Sequence, residues 1–229
     1  VDVFDAIESL RAVRTYQDRP LPDADLDRIL RAATMACSAG NTQPWELLVL
    51  RDRQLLRTIQ GWTRAAFRAP DGARVQRPDQ LVDGAGRSVT GHAAIESLTT
   101  VPVVVLVFWN PDRGIRFAGE YEESADGTLR PVGTPAGGRG SSVFPACQNM
   151  MLAARALGVS SLFTTFLGLV EPRVKELLGV PPRMFLEAGI FLGYGAEALG
   201  RSRRRPLPEV THVDHWDRAY AAPHDRSAR

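Results

Sequence analysis

Val101 to Trp109 reads VPVVVLVFW, nine residues without a polar side chain. Water-facing strands alternate apolar and polar residues, so the unbroken run Val103 to Trp109 is expected to lie inside a sheet covered on both faces. It falls well short of the roughly 20 apolar residues a bilayer-spanning helix needs. One strand of this kind demands a packed layer on either side, and the rest of the chain offers them. Phe4, Ile7 and Leu10 recur at helical spacing, as do Leu26, Ile29, Leu30 and Ala33 behind Asp23, which is placed to act as N-cap. Further helices are expected around Gln54 to Ile59, ending at Ile95 to Thr99, from a Ser142 cap to Leu157 before Gly158, and over Glu171 to Leu178 before Gly179. Trp45 to Leu50, Ser161 to Phe166 and Phe185 to Tyr194 read as strands. Strands interleaved with helices predict an α+β fold, one mixed α/β layer.

The 229 residues carry one such core, so the chain reads as a single domain over 1–229. Two stretches, about 68–87 and 110–140, are rich in Pro, Gly and polar residues and are expected as irregular insertions or lids, and 217–229 as a frayed tail. Lys and Arg number 28 against 26 Asp and Glu, a net charge of +2. With a near-neutral chain and no aromatics interleaved in the short run Arg201 to Arg205, a nucleic-acid partner is not expected, nor a membrane. No charged-then-apolar leader opens the sequence, which predicts a cytoplasmic protein. Two cysteines, Cys37 and Cys147, far apart and in contexts that read as buried, support neither a disulfide framework nor a zinc site.

Several catalytic signatures fail on inspection. The glycines from Gly133 to Gly140 lack the Lys-Ser/Thr of a triphosphate loop and the third glycine of a dinucleotide fingerprint. His212, Asp214 and His215 have no supporting ligand and read as packing or solvated groups. No Gly-x-Ser-x-Gly elbow occurs. What remains are three polar segments the hydrophobic pattern does not require: Arg11 to Arg14, Ser38 to Trp45, and Arg203 to Arg205. Two are basic and could converge on a dianionic phosphate. The middle one offers the amides of Asn41 and Gln43, whose paired donors and acceptors suit a heterocycle with alternating carbonyl and N–H groups. Phosphate at one end and a heteroaromatic ring at the other describe a mononucleotide, with flavin mononucleotide (FMN) the natural candidate. Composition alone favours a plainer reading, a solvated arginine-rich face and an ordinary loop.

The order of the pieces shifts that balance. Arg11-Ala12-Val13-Arg14-Thr15-Tyr16, Ser38-Ala39-Gly40-Asn41-Thr42-Gln43-Pro44-Trp45, Gln148 to Gly158, Phe191-Leu192-Gly193-Tyr194 and Arg203-Arg204-Arg205-Pro206-Leu207 together resemble the FMN-dependent nitroreductase family. The resemblance implies a mostly antiparallel sheet flanked by helices and a C-terminal segment extended across a homodimer, with FMN at the subunit interface. It assigns Arg11, Ala12, Arg14, Arg203 and Arg205 to the phosphate and ribityl end, and Ser38, Asn41 and Gln43 of the opposite subunit to the ring edge. Phe163, Thr165 and Phe166 would lie beneath the ring, with a backbone donor near flavin N5. The implied activity is ping-pong reduction of nitroaromatics or quinones by NADPH or NADH, with no side-chain acid or base required. The alternatives are an FMN-storing protein without turnover, or a dehydrogenase or dehalogenase on the same fold. This chain departs from the pattern at Leu10 and Ala12, where the family has Arg and Ser, and at Cys37, expected to fill a proline's space as a small buried residue.

Overall fold

The computed structural model describes residues 2–68, 89–116, 121–132, 139–197, 200 and 204–220. Its strands are β1 (Trp45–Leu50), β2 (Val103–Trp109), β3 (Tyr121–Glu123), β4 (Leu129–Pro131), β5 (Ser160–Thr164), β6 (Phe185–Gly193), β7 (His212–Val213) and β8 (His215–Ala219). Its helices are α1 (Val3–Ser9), α2 (Asp23–Thr34), α3 (Arg53–Arg68), α4 (Val89–Glu96), α5 (Phe144–Ala156), α6 (Glu171–Leu178) and α7 (Leu207–Val210). The chain forms two compact units, Val1–Leu199 and Gly200–Arg229.

The larger unit is built on a four-stranded sheet ordered β1-β2-β6-β5, antiparallel throughout. β2 lies inside it, and every residue from Val103 to Trp109 is at most 4% exposed. The pleat sends Val103, Val105, Val107 and Trp109 to one face, against Ile29 and Ala33 of α2 and Met150 and Ala154 of α5. Val104, Leu106 and Phe108 go to the other, against Leu56 and Ile59 of α3 and Val174 of α6. Fully burying a side chain of this kind stabilises by about 1.5–3 kcal/mol, and β2 contributes on both faces. The β2–β6 register slips after Val107, where Ala188 is followed by Leu186 as the next partner, so Glu187 sits in a β-bulge.

Several local expectations are revised. Asp23 is the first residue of α2, not its cap; Pro22 stands at the cap, and Asp23 pairs with Arg51 at 2.6 Å. Ser142 does not cap α5 either, since Val143 holds that position with Pro145 in the first turn. The helix expected near Gln54 extends to Arg68 and is capped by the Asp52 carboxylate, which accepts from the Gln54 and Leu55 amides. The 110–140 stretch holds order: the β3–β4 hairpin, with Tyr121 stacked on Trp109 at 5.8 Å and Leu129 buried. Cys37 is exposed and does not take a proline's buried space, whereas Cys147 is buried as expected.

The smaller unit, by itself, is a short helix α7 and the β7–β8 hairpin, which turns at Asp214 (φ 61°). β8 runs to Ala219, so the tail expected as frayed from residue 217 is paired at its start. Residues 221–229 lie outside the described residues. Here the His212 ring stacks on Trp216 at 4.5 Å, and no cluster able to hold a metal occurs among the described residues. Among them also, no helix is long and apolar enough to cross a membrane.

Candidate functional site

The segment after α1 is stitched to the edge strand β5. Ala12 forms an isolated parallel bridge with Ser161, and the Val13 amide donates to the Ser161 carbonyl at 3.0 Å. Val13 and Tyr16 are buried here and Ala12 is exposed. The half-buried Arg11 guanidinium donates to the carbonyls of Glu8 and Leu10 at 2.8 and 2.5 Å, covering the open end of α1. Arg14 donates to the Ala12 carbonyl at 3.2 Å.

Beside this segment is a cavity of about 170 Å³ whose lining includes Leu10, Arg11, Arg155, Ser160, Ser161 and Glu197. Two arginines against one glutamate among its lining residues give it a net positive charge. The Ser161 hydroxyl is buried and has no hydrogen-bond partner among the described residues. A buried hydroxyl is normally satisfied, and this one belongs to a residue that lines the same cavity as Arg11 and Arg155, whose charge suits an anionic ligand. Arg155, held by the Ser9 hydroxyl at 2.8 Å, and Ser161 line this cavity, a placement that sequence reasoning misses. Nothing local marks them; only the fold places both beside residue 11.

The amide-rich loop is the second component. Gly40, Asn41 and Gln43 have φ of 58°, 55° and 48°. Gly40 adopts this region freely, but a left-handed residue with a side chain costs roughly 1–2 kcal/mol, somewhat less for Asn. Conformations of this kind persist only where the surroundings over-determine them. Ser38 Oγ accepts from the Gln43 amide at 3.0 Å, and the Gln43 side-chain amide donates to the Asn41 carbonyl at 3.4 Å. Ser142 Oγ accepts from the Ala39 amide at 3.3 Å, which is the use the fold makes of the expected helix cap. On the other side, the turn after β2 takes the carbonyls of Gln43, Pro44 and Trp45, through Arg113 Nε, the Asn110 amide and Arg113 Nη2. Asn41 and Gln43 themselves are exposed.

The third component is the far end of β5. Phe163 is half-buried, with the Phe144 ring edge-on at 5.7 Å. Phe144 opens α5 two residues after Ser142, so the entry to α5 touches the amide loop through Ser142 and Phe163 through Phe144. Thr165 is exposed, and the Phe166 amide donates to Thr164 Oγ1 at 3.3 Å. The Phe166 ring packs edge-on against Phe67 of α3 at 5.5 Å. Arg203 lies outside the described residues, and Arg205 is exposed on the smaller unit. The structure thus groups Ser38 with Asn41 and Gln43, and Arg11 with Ala12 and the start of β5, while Phe163, Thr165 and Phe166 gather at that strand's other end.

The described residues thus present a cavity lined by two arginines, a loop of exposed amides, and the half-buried Phe163 on the α5 side of the sheet with Phe166 on its α3 side. Residues 7–194 match the model of the nitroreductase family. An Archaeoglobus fulgidus protein named for NADH dehydrogenase or NAD(P)H nitroreductase activity is 29% identical over 92% of this chain and 96% of its own length. The 4-nitrobenzoate reductase of a Nocardioides strain is 28% identical, over 85% and 81%. Among solved structures, a Bacteroides fragilis nitroreductase with bound FMN superposes with a TM-score of 0.62 at 22% identity, covering 93% of this chain and 100% of that one.

Proposed function

The chain belongs to the nitroreductase family of oxidoreductases, and we propose that it is an FMN-dependent NAD(P)H oxidoreductase acting as a homodimer. The observation that carries this reading is the cavity lined by Arg11 and Arg155 at one end of β5, where the buried Ser161 hydroxyl has no hydrogen-bond partner among the described residues, with Phe163 toward the strand's other end. Bound FMN would supply the redox chemistry, taking hydride from NADPH or NADH and passing it to an electron-poor acceptor such as a nitroaromatic or quinone. Around it, Arg11, Arg14, Arg203 and Arg205 would hold the phosphate and ribityl end. Ser161 is bridged to the backbone at residue 12. Ser38, Asn41 and Gln43 of the partner subunit would meet the ring edge, and Phe163, Thr165 and Phe166 would support its face. One face used in turn by reductant and acceptor predicts ping-pong kinetics.

The test is an absorbance spectrum of the purified protein, followed by anaerobic addition of NADPH and then NADH. Flavin bands that bleach with either nucleotide support the reading. A yellow protein indifferent to both points to FMN storage or another reductant, and failure to take up added FMN overturns the assignment. Within the reading, Arg205→Ala is expected to weaken FMN binding by about 1.5–3 kcal/mol, the range for a hydrogen bond to a charged group, and to leave riboflavin binding unchanged. Paired titrations with the two flavins check it.

A further inference from the structure

We propose that Arg113, outside the segments that carry the family resemblance, is the positioning residue that fixes the Ser38 to Trp45 loop for its contact with the flavin ring. The proposal rests on the flavin reading above. Three consecutive carbonyls, those of Gln43, Pro44 and Trp45, are taken by a single turn: Arg113 Nε reaches Gln43 O at 3.1 Å, the Asn110 amide reaches Pro44 O at 2.6 Å, and Arg113 Nη2 reaches Trp45 O at 2.8 Å. The same Nη2 lies 2.8 Å from Glu46 Oε1, whose carboxylate also accepts from Asn110 Nδ2 at 2.9 Å. A planar guanidinium is matched to this task because its donors point in fixed directions, so it holds two carbonyls and a carboxylate at once.

The turn is anchored in its own right. Asn110 is 8% exposed, its side-chain oxygen accepts from the Asp112 amide at 2.9 Å, and Asp112 pairs with Arg183 at 2.7 Å. Arg113 therefore ties a loop with left-handed residues at 40, 41 and 43 to the rigid end of the central strand. The contact also gives the start of the 110–140 stretch a role distinct from a lid: it shapes the amide loop from behind.

The experiment compares wild type with Arg113→Met, which keeps most of the side-chain length, and Arg113→Lys, which keeps the charge and one donor direction. Binding of FMN and of riboflavin is measured for each, together with the visible spectrum of the bound flavin and amide hydrogen exchange at residues 38–45. In Arg113→Met both flavins are expected to lose affinity by the same factor, about tenfold, the equivalent of one charge-assisted hydrogen bond. The flavin band moves, exchange in the loop accelerates, and Arg113→Lys recovers part of each change. Unaltered flavin affinity and exchange in Arg113→Met overturn the proposal, and so does a loss confined to FMN, which would mark a phosphate contact. If Arg113→Met fails to fold, wild-type binding and exchange in Arg113→Lys overturn it. A wild-type protein that binds neither flavin overturns the flavin reading, while exchange still decides whether Arg113 holds the loop.

Discussion

The central strand and the amide loop are held in opposite ways. β2 is fixed by many interchangeable apolar contacts on two faces, each non-directional and roughly proportional to buried area. The Ser38 to Trp45 loop is fixed by a few directional bonds, and its anchors come from Ser142 and from Asn110 and Arg113, far along the chain. The difference teaches where damage should appear. A lesion in the strand removes stability and spares ligand geometry, whereas a lesion at the loop spares the fold and alters what the loop can touch.

The largest effect tests the first half of that contrast. Leu106 is 0% exposed and packs against the α3 side of the sheet. Leu106→Ala is expected to cost about 2–5 kcal/mol, the usual range for a buried leucine cavity. Urea unfolding checks it, with flavin affinity nearly unchanged in the folded fraction. A variant of equal stability would mean that the core relaxes into the space and is less tightly packed than the structure shows. Gly40→Ala is the matching lesion in the loop. An added Cβ meets only Thr42 Cγ2 at 3.8 Å, so there is room for it, but φ is 58°. The expected cost is roughly 1–2 kcal/mol from backbone strain alone, appearing as weaker flavin binding if the loop shifts to relieve it and as lower stability if it does not. Unfolding and flavin titration of the same sample separate the two.

How much of each region could be read in advance follows from the same physics. The periodicity of VVVLVFW marks β2 and its two covered faces, because burial leaves a pattern in consecutive residues. The amide loop is visible as composition, with Gly, Asn and Pro excluding helix, and Asn41 and Gln43 as its polar content. Its anchors are not visible. Ser142 reads as a helix cap and Arg113 as part of an irregular stretch, and only the tertiary fold shows that both face residues 38–45. The orphaned Ser161 hydroxyl is hidden for the same reason, since a serine in a strand carries no local sign of what lies opposite it. Cys37 reads as buried because an apolar helix end lies beside it; the chain has already left the helix there, and the thiol is exposed.

The smallest effect uses the two cysteines, one in each kind of environment. Cys37 borders the loop and is open to solvent, so a thiol reagent is expected to modify one group per native chain and a second only after unfolding. Cys147 on α5 is 1% exposed, and burial pushes its thiol up from 9.0 to about 12, with Glu187 adding to the rise. Below pH 9 the thiol is protonated in both the folded and unfolded chains and makes no difference to their balance. Above it the unfolded chain loses a proton that the folded chain keeps until about pH 12, so stability falls across that window. Between pH 9 and 10 the loss should be about 1 kcal/mol, since a proton held by the folded chain alone tilts the balance by at most about 1.4 kcal/mol for each step of one in pH. The buried Tyr16 hydroxyl, also pushed up by burial, contributes in the same direction only at higher pH. Cys147→Ala should flatten this part of the profile and Cys37→Ala should not. An unchanged slope in Cys147→Ala would show that the α5 face of the core admits water, and the contrast between a dry sheet core and a solvent-reached loop would then have to be drawn less sharply.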